Sequence, residues 1–576
     1  MLRNTTCRLF KYELEHHIVD CIMIKWAVTA ALLALCVVAS EEGRDEGYTY
    51  RQICLHKKRL VLLHGSECRH QVALGRWQNT VNTTGWTMLE VETKGIVEPE
   101  VQAYAAGYLE GVLSRTLINY YIHNMYEPYC RNHTQFCGRL DAFLGENQKW
   151  IESQLELVPD DDLYWGAVNR TYHQISGLID GYEGRPIVPR IIYDLHPIYY
   201  INMNGDFYDL ERKLKRADDP ETPRDHCSGF VKVAPGNNDL FVSQVVMGPF
   251  QNMLRVLKLY KFDYESDLYP GHGTSFSSYP GLLYSCDDFA LMTSGLAVIE
   301  TTITLYDTAL FHKVRPTGQL LSWVRAIVAN QLARGAREWC EIFSRYNSGT
   351  YNNQWLIVDY KLFKPGQSLP PFGLFYVLEQ LPGKVKYGDM TSYLEKHSYF
   401  PSYNLPYFND IAKAGGFIEQ AEKIGDWYRW GKSARARIFE RDHDKVTDLS
   451  SLATLMRYND YTNDPLSACK CTPPFTAEAA ISPRGDLNIR NGTYEIPAMG
   501  HLNHGALDYK ASTLIRGTNN ELARRLSFRA IGGPTHTNVP VFRWSSFDFD
   551  VPHVGHPEQW KFDEIEMYWE VDVHMP

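Results

Sequence analysis

The sequence lacks a long apolar segment after residue 40. No run there approaches the roughly 20 apolar residues that a membrane helix needs. It also lacks a basic stripe, since 58 lysines and arginines stand against 68 aspartates and glutamates, for a net charge of -10. Nucleic acid is therefore not expected as a partner, because contact with a phosphate backbone needs clustered positive charge. Internal repeats and low-complexity linkers are absent as well.

Cysteine is scarce, with twelve in 576 residues, and three of these lie in or before the amino-terminal apolar segment. A disulfide-built scaffold is excluded, so hydrophobic burial must hold the fold. Cys130 and Cys137 are placed for a local disulfide. Cys469 and Cys471 lie in a proline-rich turn, where a strained local bridge and two separate partners are alternatives. No second ligand pair near them favours a metal site, and the sequence predicts no metal and no cofactor.

The other cysteines outside the amino-terminal segment divide into three groups. Cys54 and Cys68 are a further candidate pair. Cys286 and Cys340 are predicted to be buried thiols, because free cysteine behaves as a small apolar residue. Cys227 forms a group of its own.

Met23 to Ser40 has the form of a secretory signal peptide, with Lys25 before an apolar core that ends at small residues. The mature chain is therefore expected in the lumen of the secretory pathway. Residues 1–22 are a polar extension, and two explanations stay open: translation starts at Met23, or the apolar segment is an uncleaved anchor. Four glycosylation sequons follow the signal and agree with a secreted or lysosomal destination, at Asn82, Asn132, Asn169 and Asn491.

The composition is that of a folded globular protein, with 44% hydrophobic, 13% aromatic and 22% charged residues. Helical spacing predicts helices, and β-branched or aromatic runs between Gly, Asn or Asp predict strands. The predicted helices are 97–126, 251–260 and 320–343. The predicted strands are 230–233, 240–246, 291–304 and 354–360. This alternation predicts an α+β fold, in which helices cover a sheet core.

Several long and chemically unusual strings carry a family resemblance over nearly everything after about residue 45. They are, in order, AAGYLEGVLSRTLI, HCSGFVKV, SSYPGLLYSCDDFALMTSGLAVIETTI, NSGTYNNQWLIVDYK, PSYNLPYF, GDWYRWGKSARARIFERD, LMRYNDYTNDPLSAC and AISPRGDLN. The chain closely resembles the phospholipase B-like family, which includes the lamina ancestor proteins of insects. The resemblance implies an N-terminal nucleophile hydrolase fold, a four-layer αββα sandwich. It also implies a proenzyme that cleaves itself into two associated fragments, here 41–226 and 227–576, which form one αββα unit.

The resemblance places the nucleophile at Cys227 and the cleavage at the His226–Cys227 bond. A thiol with a pKa of about 8.5 must lose its proton before it attacks. An N-terminal α-amine has a pKa of about 8, so it can accept that proton at modest cost. Cleavage would create this base, which makes the uncut chain inactive. From the residues alone, a buried structural cysteine that opens a strand is the favoured interpretation of Cys227, and the family strings on both sides reverse that preference. Cys286 is a rival nucleophile that the resemblance does not support.

Three further site residues are implied by matching strings. Asn404 in SYNLPY is the candidate oxyanion donor, and its alternative is to cap a turn before Pro406. Arg435 in SARARIF is the candidate to bind a substrate acid or phosphate, or to lower the pKa of the nucleophile, and its alternative is a surface charge. Thr302 in IETTI is expected to line the pocket, and its alternative is an ordinary strand threonine.

The chain departs from the family at two positions that the resemblance assigns to the substrate pocket. The strand after the nucleophile ends in His-x-x-Trp in the family, whereas Gln244 and Met247 stand here. Glutamine cannot carry a proton at accessible pH, and methionine lacks the rigid ring. Proton handling and pocket shape are therefore both altered.

Two functions follow from the resemblance and the departure. The first is a secreted or lysosomal hydrolase that cleaves acyl ester or amide bonds, with a lipid or an N-acylated small molecule as substrate. The second is a catalytically degenerate secreted glycoprotein with a binding or structural role. Cys227, Thr302, Asn404 and Arg435 are all present, which favours the enzyme.

Overall fold

The computed structural model describes residues 47–64, 68–159, 161–216, 227–287, 289–514 and 522–575. The extension 1–22, the signal peptide 23–40 and the cleavage residue His226 lie outside the described residues. Residues 49–576 form one compact unit. No helix in the described ranges has the length and apolar character to cross a membrane.

Twenty strands occur in the described part of the chain. In chain order they are β1 Thr49–His56, β2 Arg59–His64, β3 Gln71–Thr80, β4 Trp86–Thr93, β5 Cys227–Val233, β6 Leu240–Gly248, β7 Val256–Lys261, β8 Gly273–Ser278, β9 Phe289–Met292, β10 Leu296–Thr302, β11 Asn353–Asp359, β12 Phe375–Leu381, β13 Lys384–Asp389, β14 Tyr399–Ser402, β15 Gly505–Ala506, β16 Asp508–Thr513, β17 Arg529–Gly532, β18 Phe542–Arg543, β19 Gln559–Trp560 and β20 Ile565–Glu566.

These strands form two large sheets and one two-stranded ribbon. Among the described residues the larger sheet has eleven strands, in the order β13-β12-β11-β10-β9-β8-β7-β4-β3-β1-β2. Its neighbours are antiparallel except β4 and β7, which run parallel. The smaller sheet has the order β14-β5-β6-β16-β17-β20, and β15 pairs with β6. Because β4 precedes residue 227 and β7 follows it, the larger sheet joins both halves of the chain.

Fourteen α-helices occur in the described ranges. They are α1 Val81–Thr84, α2 Pro99–Leu113, α3 Arg115–Tyr121, α4 Thr134–Leu157, α5 Leu163–Glu183, α6 Pro197–Asn202, α7 Asn204–Lys213, α8 Ser322–Leu332, α9 Ala336–Phe343, α10 Thr391–His397, α11 Asn409–Ala414, α12 Phe417–Ile424, α13 Ala434–Asp442 and α14 Leu449–Met456. A π-helical segment at Ile122–Tyr126 continues α3.

The two large sheets pack against each other through β5 and β10. All residues of β5 are buried. A Cβ at Gly229 on β5 would lie 3.4 Å from Cδ1 of Ile299 on β10. Val231 points into the same cluster as Ile299, whereas Phe230, on the opposite face of β5, stacks on Phe439 of α13 with ring centroids 5.1 Å apart. The strand β5 is therefore buried on both faces, and its first residue is Cys227.

The predicted α+β class is confirmed, and so are most predicted elements. The helix predicted over 97–126 is present as α2, α3 and the π-helical segment, with an interruption at Ser114. The strands predicted over 230–233, 240–246 and 354–360 are β5, β6 and β11. The 291–304 run is two strands, β9 and β10, and the 320–343 helix is two helices, α8 and α9.

The helix predicted over 251–260 is wrong. A short 3-10 turn covers Phe250–Asn252, and Val256–Lys261 is the strand β7. Its apolar residues recur at a spacing that resembles a helix, but β7 lies between β4 and β8 and buries residues on both faces. Lys258 fits there because its ammonium donates to Glu110 of α2 over 2.7 Å. A strand buried on both faces shows no two-residue alternation, so spacing alone misleads.

Candidate active site around Cys227

Cys227 begins β5 and is almost completely buried, with 1% of its surface exposed. Its Sγ atom lies 3.7 Å from Oε1 of Glu300 on β10, within the range of a sulfur hydrogen bond. Its carbonyl oxygen accepts a hydrogen bond from Nη1 of Arg435 over 2.9 Å. Burial raises the pKa of the thiol well above its ordinary value, and the negative charge of Glu300 raises it further. The thiol is therefore protonated in this state.

Arg435 connects the nucleophile candidate to Asn404. It lies in the first turn of α13, which Ser433 caps by accepting from the Ala436 amide. Beside its contact with Cys227, its Nη2 donates to the side-chain oxygen of Asn404 over 2.7 Å and to the carbonyl of Tyr403 over 3.0 Å. The guanidinium is buried, so the alternative of a surface charge is wrong.

Asn404 has a left-handed backbone, with φ of 68°, which asparagine tolerates better than most residues. Its Nδ2 donates to the carbonyl oxygen of Thr302 over 2.9 Å, and its backbone amide donates to the hydroxyl of Thr301 over 3.2 Å. An amide nitrogen carries two hydrogens, so Nδ2 can serve one further acceptor. Thr302 is buried at the end of β10, and its carbonyl holds the Asn404 amide in place.

Gln244 and Met247 both lie in this region. Nε2 of Gln244 donates to the carbonyl of Asp287 and to that of Glu300, the latter over 3.2 Å. Its Oε1 is buried and has no hydrogen-bond partner among the described residues. Sδ of Met247 lies 3.9 Å from Nη1 of Arg435. Gln244 and Met247 therefore contact Glu300 and Arg435, respectively. These two residues also contact Cys227.

A buried cluster of two cations and two anions adjoins the site. The guanidinium of Arg255 forms a salt bridge with Asp287 and another, of 2.7 Å, with Asp508. Lys510 lies 2.8 Å from Asp287 and 2.9 Å from Asp508. All four side chains are fully buried, and the opposite charges balance, as burial of charge requires. The positive charges hold the pKa of Asp287 below its ordinary value against the opposing effect of burial. Lys510 lowers the pKa of Cys227, which partly offsets burial.

Two cavities bear on the site, one at Asn404 and Arg435 and a larger one that none of the candidate site residues lines. A small one of about 10 Å³ is lined by Asn404, Arg435 and Glu478, and Cys227 is not among its described lining residues. This volume holds at most one water molecule. A larger cavity of about 400 Å³ is rich in tyrosine, and its wall includes His504. Nδ1 of His504 lies 2.9 Å from Glu478, so this pair stands between the two cavities.

The cysteine predictions agree with the structure. Cys54–Cys68, Cys130–Cys137 and Cys469–Cys471 are disulfides, which removes the alternative of separate partners for the last pair. Cys286 and Cys340 are buried thiols outside these disulfides. The carbonyl of Cys286 accepts from the Tyr351 hydroxyl over 2.8 Å. Across the described ranges, no group of three or more His, Cys, Asp or Glu side chains could hold a metal ion.

The four sequon asparagines differ in exposure. Asn82, Asn132 and Asn491 are exposed, whereas Asn169 is half-buried within α5. Glycosylation at each of them stays a prediction.

Comparisons with known proteins cover almost the whole chain. A family model described as Phospholipase B matches residues 73–567. A phospholipase B-like 2 protein from Caenorhabditis elegans is 63% identical over 95% of this chain and 94% of its own length. A phospholipase B-like 3 protein from the same organism is 45% identical over 91% of each chain. A human phospholipase B-like 2 protein is 41% identical over 87% of this chain and 86% of its own.

The chain belongs to the phospholipase B-like family. The structure of this family member adds one residue that the sequence prediction missed. Glu300 is completely buried and contacts the Cys227 sulfur. It stands two positions before Thr302 within the quoted string IETTI. A signal was available, because a carboxylate in the middle of a β-branched strand is almost never fully buried without a partner.

Proposed function

We propose that this chain is a hydrolase of acyl ester or amide bonds in lipids, and that its nucleophile is the thiol of Cys227. The observation that carries the proposal is the set of contacts around that residue. Arg435 binds its carbonyl, Asn404 binds Arg435, and Thr302 binds Asn404. Residues separated by about 200 positions in the chain are thereby joined in one buried network.

In this proposal, cleavage of the His226–Cys227 bond makes Cys227 the first residue of a chain and creates its α-amine. The new α-amine accepts the thiol proton, and the thiolate attacks the substrate carbonyl. We assign the second hydrogen on Nδ2 of Asn404 to stabilisation of the oxyanion that forms. Arg435 fixes the backbone of Cys227 and the amide of Asn404 together, so nucleophile and oxyanion donor keep their relative position.

The proposal extends to the fold and to the two fragments. We assign the chain to the N-terminal nucleophile hydrolases, with a four-layer αββα sandwich. Two facing sheets, with α13 outside the smaller sheet and α2 on the larger, support this assignment. After cleavage the fragments 41–226 and 227–576 are expected to stay associated, because β4 of the first pairs with β7 of the second over six residues.

Substrate and location are part of the same proposal. The relatives carry phospholipase B-like names, which point to lipid acyl groups. A secreted or lysosomal location agrees with three disulfides, since these persist in oxidising compartments.

The experiment is N-terminal sequencing and intact-mass analysis of the mature protein, with Cys227→Ala and Cys340→Ala as a matched pair of buried cysteine variants. We expect the native protein and Cys340→Ala to contain two associated chains, one of which begins at Cys227, and to release fatty acid. We expect Cys227→Ala to remain a single chain without turnover. Lipid hydrolysis by an uncut chain would contradict the mechanism.

A degenerate glycoprotein is the second candidate, and a specific observation favours it. Neither Gln244 nor Met247 has an ionisable side chain. Oε1 of Gln244 has no hydrogen-bond partner among the described residues, and Met247 lies against Arg435. If these substitutions have removed activity, Gln244→His with Met247→Trp should raise hydrolysis of a fluorescent acyl substrate well above the native level. The larger ring is expected to cost about 1 to 3 kcal/mol by overpacking, which a thermal melt would reveal. If the native protein hydrolyses the substrate and the double substitution leaves its rate unchanged, the second candidate is contradicted.

A further inference from the structure

The carboxylate of Glu300 is directed at the sulfur of Cys227. Its Oε1 lies 3.7 Å from Sγ and also accepts from the Tyr351 hydroxyl over 3.0 Å. Its Oε2 accepts from the side-chain amide of Asn353 over 3.0 Å, in the amide orientation that satisfies both polar atoms of Asn353. Donors on both oxygens fix the plane of the carboxylate. The contact with sulfur is therefore part of a built arrangement.

Self-cleavage of the uncut chain needs a side-chain base for the Cys227 thiol. The cleaved enzyme does not need it, because its α-amine serves as the base. Before cleavage the nitrogen of Cys227 is a peptide amide, which has no basic lone pair. Burial raises the pKa of the thiol, so a free thiolate is not available in advance. The proton must leave in the same step in which sulfur attacks, and a side chain in contact with sulfur must accept it.

The other charged or polar groups near the thiol do not fill this role. Lys510 and Asp287 act on the pKa of Cys227, but they are bonded to each other and to the rest of the ion cluster. Gln244 cannot carry a proton, and the guanidinium of Arg435 offers only donors. Glu300 is the carboxylate in direct contact with sulfur.

We propose that Glu300 is the general base of self-cleavage, an inference that rests on the proposed function. Oε1 accepts the thiol proton while Sγ forms a bond to the carbonyl carbon of residue 226. The bond from that carbon to the nitrogen of Cys227 then breaks, and the nitrogen takes the proton from Oε1. Water hydrolyses the resulting thioester, which leaves a carboxylate on residue 226 and restores the thiol. The new α-amine then serves as the base for turnover.

The test follows the conversion of purified full-length chain into two fragments over time, for the native protein and for Glu300→Gln. The control is Glu90→Gln, since Glu90 is also a completely buried glutamate on the larger sheet and accepts from the Val571 amide instead. Loss of a general base predicts cleavage of Glu300→Gln slower by about 10²- to 10⁴-fold, with Glu90→Gln at the native rate. Cleavage of folded Glu300→Gln at the native rate overturns the role.

A pH profile separates a base from a structural residue. The native cleavage rate should fall in acid as the carboxylate becomes protonated, and Glu300→Gln should lack this decline. Glu300→Asp retains a carboxylate one methylene further away, so it should cleave slowly and keep the decline. It also keeps the role testable if Glu300→Gln does not fold, and a flat profile for Glu300→Asp beside a declining native profile would overturn the proposal.

A last variant distinguishes this role from the proposed function. A site for a sequence-specific protease, placed directly before Cys227, frees the α-amine without self-cleavage. Glu300→Gln freed in this way should recover measurable hydrolysis, because the α-amine now supplies the base, whereas the same variant left uncut should have none. A freed Glu300→Gln chain that is folded but inactive, beside an active freed native chain, overturns a role confined to cleavage. A native chain that never cleaves itself refutes the proposed function and the role of Glu300 together.

Discussion

At the scale of single residues, Asn404 combines a backbone requirement with a chemical one. Its left-handed conformation costs most side-chain types about 1 to 2 kcal/mol, and asparagine less. Its oxygen accepts from Arg435 while its nitrogen donates to Thr302. A substitution that tests the amide nitrogen must therefore preserve both the conformation and the acceptor.

Asn404→Asp satisfies both conditions, because aspartate tolerates the left-handed region and offers an oxygen to Arg435. It has no side-chain N–H, so it loses the proposed oxyanion donor together with the hydrogen bond to the Thr302 carbonyl. We expect self-cleavage to persist and turnover of an acyl substrate to fall by about 10²- to 10³-fold, the usual effect of one lost oxyanion donor. The measurement is kcat on the two-chain form, with a thermal melt to confirm folding. Native kcat in this variant would show that the oxyanion is bound elsewhere.

The sequence predicted which residues gather in the site, but not how they are joined. Cys227, Thr302, Asn404 and Arg435 were found through matched strings, and the structure places them in one network. The contact of Glu300 with sulfur depends on β5 packing across β10, a long-range arrangement that spacing along the chain does not contain.

At the scale of elements, the helices α2 and α5 approach each other through glycines spaced four residues apart. A Cβ at Gly177 on α5 would lie 2.0 Å from the carbonyl oxygen of Tyr104 on α2. A Cβ at Gly107 on α2 would lie 1.9 Å from the carbonyl oxygen of Gln174. Both distances are far below van der Waals contact and involve backbone atoms that cannot rotate away. The two helix backbones therefore touch directly.

Gly177→Ala should consequently destabilise the protein by about 1 to 3 kcal/mol or more, because α2 and α5 must separate. Gly145→Ala is the matched control, since Gly145 lies within α4 and a Cβ there meets no atom within 4 Å. Helix propensity alone predicts that this control gains about 0.5 to 1 kcal/mol. Denaturant unfolding of both variants gives the comparison, and equal shifts would contradict direct backbone contact.

Local patterns predicted the long helix at 97–126 better than the strand β7, although Gln102 to Gly111 of that helix are buried on every face. The helix predicted over 97–126 was found because its apolar residues keep helical spacing. The strand β7 was missed because Val256 and Leu257, on opposite faces, are both buried. Packing layers on both faces of the sheet create that environment, and they bring together residues that are distant in sequence.

At the scale of the whole molecule, burial of carboxyl groups determines how stability depends on pH. Burial raises the pKa of Asp209 to about 7 and that of Glu379 to about 8. A raised pKa means that the folded state binds the proton more tightly than the unfolded state. This stabilisation is fully present below the unfolded pKa of about 4 and is lost as pH rises through 7 and 8. Burial lowers the pKa of His556 to about 3, and its stabilisation is lost only as pH falls below about 6.5.

Between pH 8 and 6.5 these carboxyl groups take up protons before the histidine opposes them, so the native Tm should rise as pH falls. Glu379→Gln cannot take up the proton and should reduce this rise by about 2 kcal/mol of unfolding free energy, which leaves the smaller rise due to Asp209. Glu152→Gln, at an exposed position of α4, should leave the slope unchanged. Thermal melts across this range measure the slopes directly. A native slope that Glu379→Gln leaves intact would show that Glu379 is ionised in the folded state, where Gln354 and the backbone amide of Tyr407 both donate to it.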